Sequence, residues 1–333
     1  MDKVLITGAN GFIGSNLCRY FVGRGFEVHG LVRKTSDLHF LEGLPVRLVV
    51  GDLSSPDGFE LPVGMDYVIH SASLTSDLAS EAECDSGVYR LAVNLFEKLA
   101  RAAPRPRRII YVSTTLILGY AGQRISEANP GKSAEFLPYT RAKKKTEAFV
   151  RETAGREGLS VVIVRPGDVY GPNDRTTCAK LLRGLERGVP IIVGHGNWHF
   201  PYCYVDNLCQ AIHLACLKKG IDGRAYTVTN GELPTWRSLF SRLQAEFGKR
   251  QRIYVPIWVA MLITATQELH KRLDSGYVPD VSFYRIRRIT AEATYDIADT
   301  IADLEYRPDE DLDAQARAIV SWYLEERKRG FLK

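Results

Sequence analysis

Thr7-Gly8-Ala9-Asn10-Gly11-Phe12-Ile13-Gly14, directly after the apolar run Val4-Leu5-Ile6, decides how the rest of the chain is read. A short buried strand ends at Thr7, glycines turn the backbone, and Phe12, Ile13, Leu17 and Phe21 recur at helical spacing. A helix that starts this way points unpaired N–H groups outward. Glycines without a β-carbon let an anionic ligand come close to them. The Gly-x-x-Gly-x-x-Gly spacing between strand and helix predicts that Gly8, Asn10, Gly11, Phe12, Ile13 and Gly14 cradle a pyrophosphate.

Working outward, strand-like runs alternate with helical periods at Val4–Ile6, Glu27–Val32, Arg47–Val50, Tyr67–His70, Ile109–Ser113 and Val161–Arg165. Helices are expected over Phe12–Gly23, around Gly87–Ala102 and from about Tyr139 to Glu157. Such a rhythm predicts an α/β fold of Rossmann type, a doubly wound parallel sheet whose ligands bind beyond the carboxyl ends of the strands. After Pro166 the rhythm loosens, then a helix at about Val205–Lys218 and a strand at Ala225–Val228 return to the sheet. From Leu233 onward the chain reads as mainly helical. We therefore expect residues 1–167 with 202–232 to bind a dinucleotide. Residues 168–201 with 233–333 would form a smaller, mainly helical C-terminal substrate-binding domain.

At 333 residues the chain can bury a large core, and its formal charge of +5 is modest. No basic stripe with interleaved aromatics is present, which argues against nucleic acid as a partner. The cluster Arg105, Arg107 and Arg108 is expected to be solvated at the entry to the fifth strand. Six cysteines, without a C-x-x-C pair or a zinc-like grouping, read as buried free thiols in a reducing compartment, and the expected location is cytoplasmic. No metal site is expected. The uncharged stretch from Ile253 to Gln267 is shorter than the roughly 20 residues of a membrane span, leaving a buried helix or a peripheral lipid-facing patch.

The second strand ends in Arg33-Lys34, where the adenosine ribose of a dinucleotide should lie. An acid there would bind the free 2′-hydroxyl of NAD, whereas cations neutralise a 2′-phosphate. Arg33 can also stack on adenine. NADP(H) is the expected cofactor and NAD(H) the alternative, since paired cations at a strand end also occur merely solvated. Asp52 and Leu53 after the third strand suit adenine contacts. Ser71, Ala72 and Ser73 after the fourth are small enough for a cofactor to lie on the backbone. His70 reads as a core histidine.

Tyr139 and Lys143 follow Pro138, a favoured first helical residue, and share one helix face. A nearby ammonium stabilises a phenolate, so this pair can exchange a proton with an alcohol or ketone, while the lysine also holds ribose hydroxyls. Sixteen tyrosines make one such pair an expected coincidence, so position must decide. Thr114 closes the fifth strand, where a hydroxyl can polarise a carbonyl; Ser113 and Thr115 are alternatives. Asn94 is expected either to orient Lys143 through water or to be an ordinary polar helix residue. Lys144 and Lys145 read as a solvated face.

The ordered set TGANGFIG (7–14), GDL (51–53), HSAS (70–73), VSTT (112–115), YTRAK (139–143), RPGDVYGP (165–172) and YVDN (204–207) resembles the extended short-chain dehydrogenases/reductases. That group includes sugar-nucleotide epimerases and dehydratases, dihydroflavonol reductases and 3β-hydroxysteroid dehydrogenases. The resemblance runs through nearly the whole chain, including Leu304-Glu305-Tyr306-Arg307-Pro308 and a closing helix. It implies Tyr139 as acid/base, Lys143 as its partner and Thr114 as hydroxyl donor. Pro166, Gly167 and Val169 would line the cofactor, and a homodimer would form through the helices bearing Tyr139 and Asn94.

Two departures bear on the small-molecule substrate. Asp168 stands where many sugar-nucleotide epimerases have an asparagine that helps hold a diphosphate, and a carboxylate repels that group. Phe200 stands about where those enzymes carry an arginine. With Ser73, Thr114, Asp168, Trp198, Phe200 and Trp258 as candidate substrate contacts, the pocket reads as apolar and aromatic. It resembles the steroid-dehydrogenase and flavonoid-reductase branch, so the expected reaction interconverts a ketone and a secondary alcohol on a hydrophobic molecule. Arg285, Arg287 and Arg288 point the other way, since one of them can grip a phosphate. The alternatives are a nucleotide-sugar epimerase or dehydratase with tightly bound NAD(P), and a nonenzymatic dinucleotide sensor.

Overall fold

Seven β-branched-rich segments pair in parallel in the computed structural model, which describes residues 1–188, 192–249, 254–273, 277 and 282–332, the side chains of Lys271 and Arg272 aside. They are β1 (Lys3–Thr7), β2 (Glu27–Val32), β3 (Val46–Val50), β4 (Tyr67–His70), β5 (Arg108–Val112), β6 (Val161–Pro166) and β7 (Ala225–Val228). Their order is β7-β6-β5-β4-β1-β2-β3. The direction of winding reverses between β1 and β4, and their carboxyl ends Thr7 and His70 lie in register side by side. A crevice at that reversal is where a doubly wound sheet binds its ligand.

Helices cover both faces of the sheet. They are α1 (Phe12–Gly23), α2 (Arg90–Arg101), α3 (Pro138–Glu157), α4 (Cys178–Arg187), α5 (Val205–Leu217), α6 (Trp236–Glu246), α7 (Ile257–Leu273), α8 (Phe283–Ile289), α9 (Ala298–Leu304) and α10 (Leu312–Lys328). Leu17, Phe21, Leu208 and Ile212 from α1 and α5 close one face, and Leu95, Phe96, Leu99 and Val150 from α2 and α3 the other. Each such side chain stabilises the fold by about 1.5–3 kcal/mol, which is why the strands between them read as unbroken apolar runs. A third core joins α4, α6 and α10 through Leu182, Leu239, Phe240, Ile319 and Tyr323.

Local chemistry sets the ends of the elements that carry the site. Pro138 starts α3, and Gly158 ends it in the left-handed conformation at φ 64°. The helix expected from Gly87 is regular only from Arg90. A π-helical turn over Asp85–Tyr89 precedes it, and Gly87 there runs so close to Leu74 that a β-carbon would lie 2.8 Å from the leucine side chain.

Short parallel pairs were not legible in the sequence. Asp168–Tyr170 pairs with Tyr202–Tyr204, and Gly122–Ile125 with Ala293–Tyr295. The second pair brings α8 against the segment that leads into α3. The arginine cluster is exposed at Arg105 and Arg107, as expected, and is corrected at Arg108. Arg107 bonds Asp2 at 2.6 Å and Asp66 at 2.9 Å, Arg108 is 6% exposed and donates to the Lys218 carbonyl, and Arg105 reaches the Ala100 carbonyl. They stitch loops together instead of merely solvating a strand end. All six cysteines are buried and free. Among the described residues no helix is long and apolar enough to cross a membrane. Of the stretch read as a buried helix or lipid-facing patch, Ile253 lies outside the described residues. Tyr254–Val255 pairs as a short strand with Ile192–Val193, and from Ile257 the stretch lies in α7, which buries Ala260 and Thr264 and exposes Trp258, Leu262 and Leu269.

Candidate active site

The carboxyl ends of β1 and β4 are tied together first. Thr7 Oγ1 and His70 Nδ1 are 2.8 Å apart, Ser71 Oγ donates to the Thr7 carbonyl at 2.7 Å, and the Ala72 amide donates to Thr7 Oγ1. Against this rigid edge the glycine turn fits without room for side chains. A β-carbon on Gly14 would lie 2.0 Å from the Gly8 carbonyl oxygen, and one on Gly8, at φ +66°, would lie 2.9 Å from Ala72 Cα. Gly11 opens α1 with no side-chain cap and no acid in the first turn, while Asn10, Phe12 and Ile13 are partly exposed around it. An uncapped helix N-terminus behind a turn that excludes β-carbons fits the pyrophosphate of a dinucleotide.

Arg33 and Lys34 are exposed at the end of β2, and neither forms an ion pair among the described residues. Both are therefore available to a phosphate. Asp52 is held by the Ser54 amide at 2.8 Å, and that hydrogen bond keeps its carboxyl below the usual range. Leu53 is buried, and its carbonyl accepts from Asn94 Nδ2 at 2.8 Å. Asn94 thus fixes the loop after β3. Its amide donates there, and Lys143 takes a different partner. Ser73 Oγ turns to the Leu74 carbonyl. Beyond β6, Gly167 passes so near Pro201 that a β-carbon would meet its carbonyl oxygen at 2.2 Å, Pro166 pairs with Val228, and Val169 packs on the α1/α5 core.

Lys143 is 3% exposed and donates to the Val112 carbonyl at the end of β5, 2.9 Å away. Its ammonium lies 5.2 Å from the centre of the Tyr111 ring and 5.9 Å from that of Tyr139. Burial pulls its pKa down to about 7, opposed by the Glu147 carboxylate one turn along α3. Burial pushes the Tyr139 hydroxyl well above its ordinary value; Cys84 and Tyr284 add to this and Arg288 opposes it. The phenol is thus held protonated, its raised pKa opposes proton release, and Arg288, not Lys143, is the cation that lowers it. Thr114 caps a short 3-10 turn over Thr115–Leu118, and its Oγ1 accepts from the Leu116 amide, which leaves its own proton free. Ser113 Oγ and Thr115 Oγ1 are buried without a hydrogen-bond partner. His70 is 1% exposed and burial depresses its pKa to about 3, in line with a core histidine.

Behind Lys143 stands a pair that sequence reasoning missed. Arg165, at the end of β6, grips Glu147 through two hydrogen bonds of 3.0 and 2.7 Å, and both residues are almost fully buried. The signal was present, since Glu147 follows Lys143 by four helical residues and Arg165 ends an otherwise apolar strand.

The substrate side brings several corrections. Phe200 is 1% exposed and stacks on Trp236 at 3.8 Å within the third core, so packing accounts for it. Trp258 is 70% exposed on α7, because that helix docks through the opposite line of Ala260 and Thr264. Trp198 is half-buried against His195. Asp168 does not stand alone as a repelling charge. Arg288 donates to both of its carboxylate oxygens and, through Nη1, to the Tyr284 hydroxyl at 2.8 Å. Arg285 pairs with Asp77. Two of the three arginines that counted toward phosphate binding therefore have internal carboxylate partners.

Comparison with known proteins identifies the family. The family model described as the NAD dependent epimerase/dehydratase family matches residues 4–229. A 4-hydroxy-2-methyl-3-oxo-4-farnesyl-3,4-dihydroquinoline-1-oxide ketoreductase of Stigmatella aurantiaca is 29% identical over 246 residues, covering 72% of each chain. A 3β-hydroxysteroid dehydrogenase/Δ5→4-isomerase of Mycobacterium tuberculosis is 29% identical over 332 residues, 92% of this chain and 86% of the relative. Among solved structures, a UDP-glucose 4-epimerase of Thermotoga maritima with UDP-glucose superposes with a TM-score of 0.74 at 20% identity, covering 98% of this chain and 99% of that one. At that identity the last likeness speaks for the fold alone.

Proposed function

The chain belongs to the NAD-dependent epimerase/dehydratase family and is an NAD(P)-dependent oxidoreductase, and from that premise we propose that it interconverts a ketone and a secondary alcohol on a hydrophobic small molecule with NADP(H). The observation that carries the reading is the Tyr139/Lys143 pair on α3, whose lysine is anchored to the end of β5 beside Thr114. The two relatives named above, one acting on a farnesylated dihydroquinoline oxide and one on a steroid, support an apolar substrate. The exposed Arg33 and Lys34 support the 2′-phosphate of NADP(H) over NAD(H).

In this reading the glycine turn and the N-terminus of α1 hold the pyrophosphate, Arg33 and Lys34 the adenosine phosphate, and Lys143 the ribose hydroxyls. When bound, the nicotinamide supplies or accepts the hydride at the carbonyl carbon. Tyr139 donates the proton to the substrate oxygen, and Thr114 donates a hydrogen bond that stabilises charge developing there. Arg288 lowers the energy of the phenolate left behind. Residues 1–167 with 202–232 serve the cofactor, and residues 168–201 with 233–333 the substrate. The same reading makes the protein a cytoplasmic homodimer through α2 and α3; the six buried thiols support the reducing compartment.

The test is consumption of NADPH and of NADH, followed optically, with a panel of neutral cyclic ketones. Net NADPH oxidation coupled to alcohol formation is expected. Inversion of a nucleotide sugar with tightly retained cofactor and no net oxidation would replace this reading with that of an epimerase.

A further inference from the structure

Two arginines on one short helix reach the segments that follow two different sheet strands. From α8, Arg285 Nε donates to Asp77 at 2.8 Å, in the loop that follows β4, and Arg288 takes Asp168, in the segment that follows β6. Tyr284 between them packs on Tyr120 at 5.4 Å and Phe136 at 5.5 Å, on the segment that leads into α3. Tyr284 also shares a buried cluster with Leu137, two residues before Tyr139, and Leu116, two residues after Thr114, packs against that cluster.

The donor inventory of Arg288 is specific. Of its five N–H groups, Nε and Nη2 go to the two oxygens of Asp168 and Nη1 gives one to Tyr284, which leaves two undirected. Tyr284 accepts from the guanidinium and keeps its own proton. The backbone of Asp168 is fixed by its pairing with Tyr202 and by its amide, which donates to the Pro201 carbonyl at 2.7 Å. The side chains of Arg288 and Asp168 are only 12% and 25% exposed, so the charges compensate one another with little help from water.

We infer that Asp168 is a specificity-determining residue that acts as a built-in counter-ion to Arg288, so that the wall facing Tyr139 offers neutral-balanced donors to an uncharged oxygen of the substrate and rejects a carboxylate or phosphate. The inference rests on the proposed ketone site around Tyr139. An anion placed against Arg288 would meet the Asp168 carboxylate as a like charge in a poorly solvated corner, whereas a hydroxyl or carbonyl oxygen would meet only donors.

The experiment uses matched ligands, 3-oxooctanoate and its methyl ester, on the full-length protein with NADPH, and calorimetric binding of octanoate to the NADP+-saturated protein. The wild type should prefer the ester over the acid by about ten-fold or more. Asp168→Asn should narrow or reverse that preference by a similar factor and tighten octanoate about ten-fold, with NADPH affinity unchanged as the sign of an intact fold. In Asp168→Asn/Arg288→Met the gain should vanish, since no cation remains to be freed. An unchanged acid-to-ester ratio and unchanged octanoate binding in Asp168→Asn overturn the inference and leave the ketone reading standing. If the wild type reduces no ketone at all, the functional reading fails, and the octanoate measurement still decides the role of Asp168.

Discussion

The Lys143 ammonium stands 5.9 Å from the centre of the Tyr139 ring and is anchored by the Val112 carbonyl, 2.9 Å away. That hydrogen bond ties α3 to the end of β5, so the Tyr139 and Thr114 hydroxyls are positioned by neighbouring parts of one joint between helix and sheet. Precision of this kind matters because catalytic groups lose most of their effect when displaced by about an ångström.

Tyr139→Phe removes one hydroxyl and little volume. We expect turnover to fall by about 10²–10⁴-fold, the usual worth of a positioned proton donor, with NADPH affinity unchanged. Stopped-flow turnover together with fluorescence titration of NADPH checks both halves. Retained full activity would sink the assignment of Tyr139 as the donor.

Lys143→Met should trade activity for stability. In the native chain burial holds the ammonium near pKa 7 against an ordinary 10.5, so between these values the unfolded chain binds the extra proton. Native stability attributable to Lys143 therefore rises with pH across that window, and below about 7 the penalty of burying the charge is present in full. Glu147, His70 and Tyr111 surround the group and stay in place. The variant should be more stable than the wild type by about 1–2 kcal/mol at pH 6, with the advantage fading toward pH 10. Denaturant titrations at several pH values measure it; an advantage that grows with pH contradicts the burial argument.

Arg33→Asp should discriminate between cofactors. Removing a cation from the end of β2 and placing a carboxylate there disfavours a 2′-phosphate and favours a free ribose hydroxyl. We expect NADPH affinity to drop by about ten-fold or more and NADH affinity to hold or rise, since charge-assisted contacts to phosphate are of that size. Equal loss for both cofactors would show that Arg33 contributes only general adhesion to the adenine.

The seven sheet strands were legible because each is a short, largely apolar run, and the five at the centre of the sheet are buried on both faces. Tyr139 and Lys143 could be placed on one helix face because their spacing is local, and Thr114 near a strand end because it follows such a run. What escaped notice is long-range or shaped by packing. Asp168 and Arg288 are 120 residues apart, and no local pattern marks a carboxylate that has found its counter-ion. Phe200 and Trp258 were both read as pocket aromatics. A sequence cannot say which aromatic enters a core and which rides on the outer line of an amphipathic helix until the docking face is known. Asn94 illustrates the same limit, since its partner Leu53 belongs to a loop beyond another strand.

The glycines of α1 provide a paired test of the turn that opened the reading. Gly14 and Gly23 lie in the same helix, and neither has the positive φ that only glycine adopts freely, so both could carry alanine as far as the backbone is concerned. Their surroundings differ. Around Gly23 nothing lies within 4 Å of an added β-carbon, whereas at Gly14 that atom would fall 2.0 Å from the Gly8 carbonyl oxygen and 2.9 Å from Ala9 Cα. Those neighbours are backbone, and they cannot rotate out of the way. Gly23→Ala should therefore stabilise the protein by about 0.4–1 kcal/mol through the unfolded chain, with cofactor affinity unchanged. Gly14→Ala must push α1 away from the turn, which destabilises by about 1–3 kcal/mol as overpacking does and opens the cradle for the pyrophosphate. NADPH affinity should fall by more than the loss of stability alone explains, and thermal unfolding with and without NADPH separates the two effects. Equal behaviour of the two variants would mean that the close approach of Gly14 to Gly8 has no part in holding the dinucleotide.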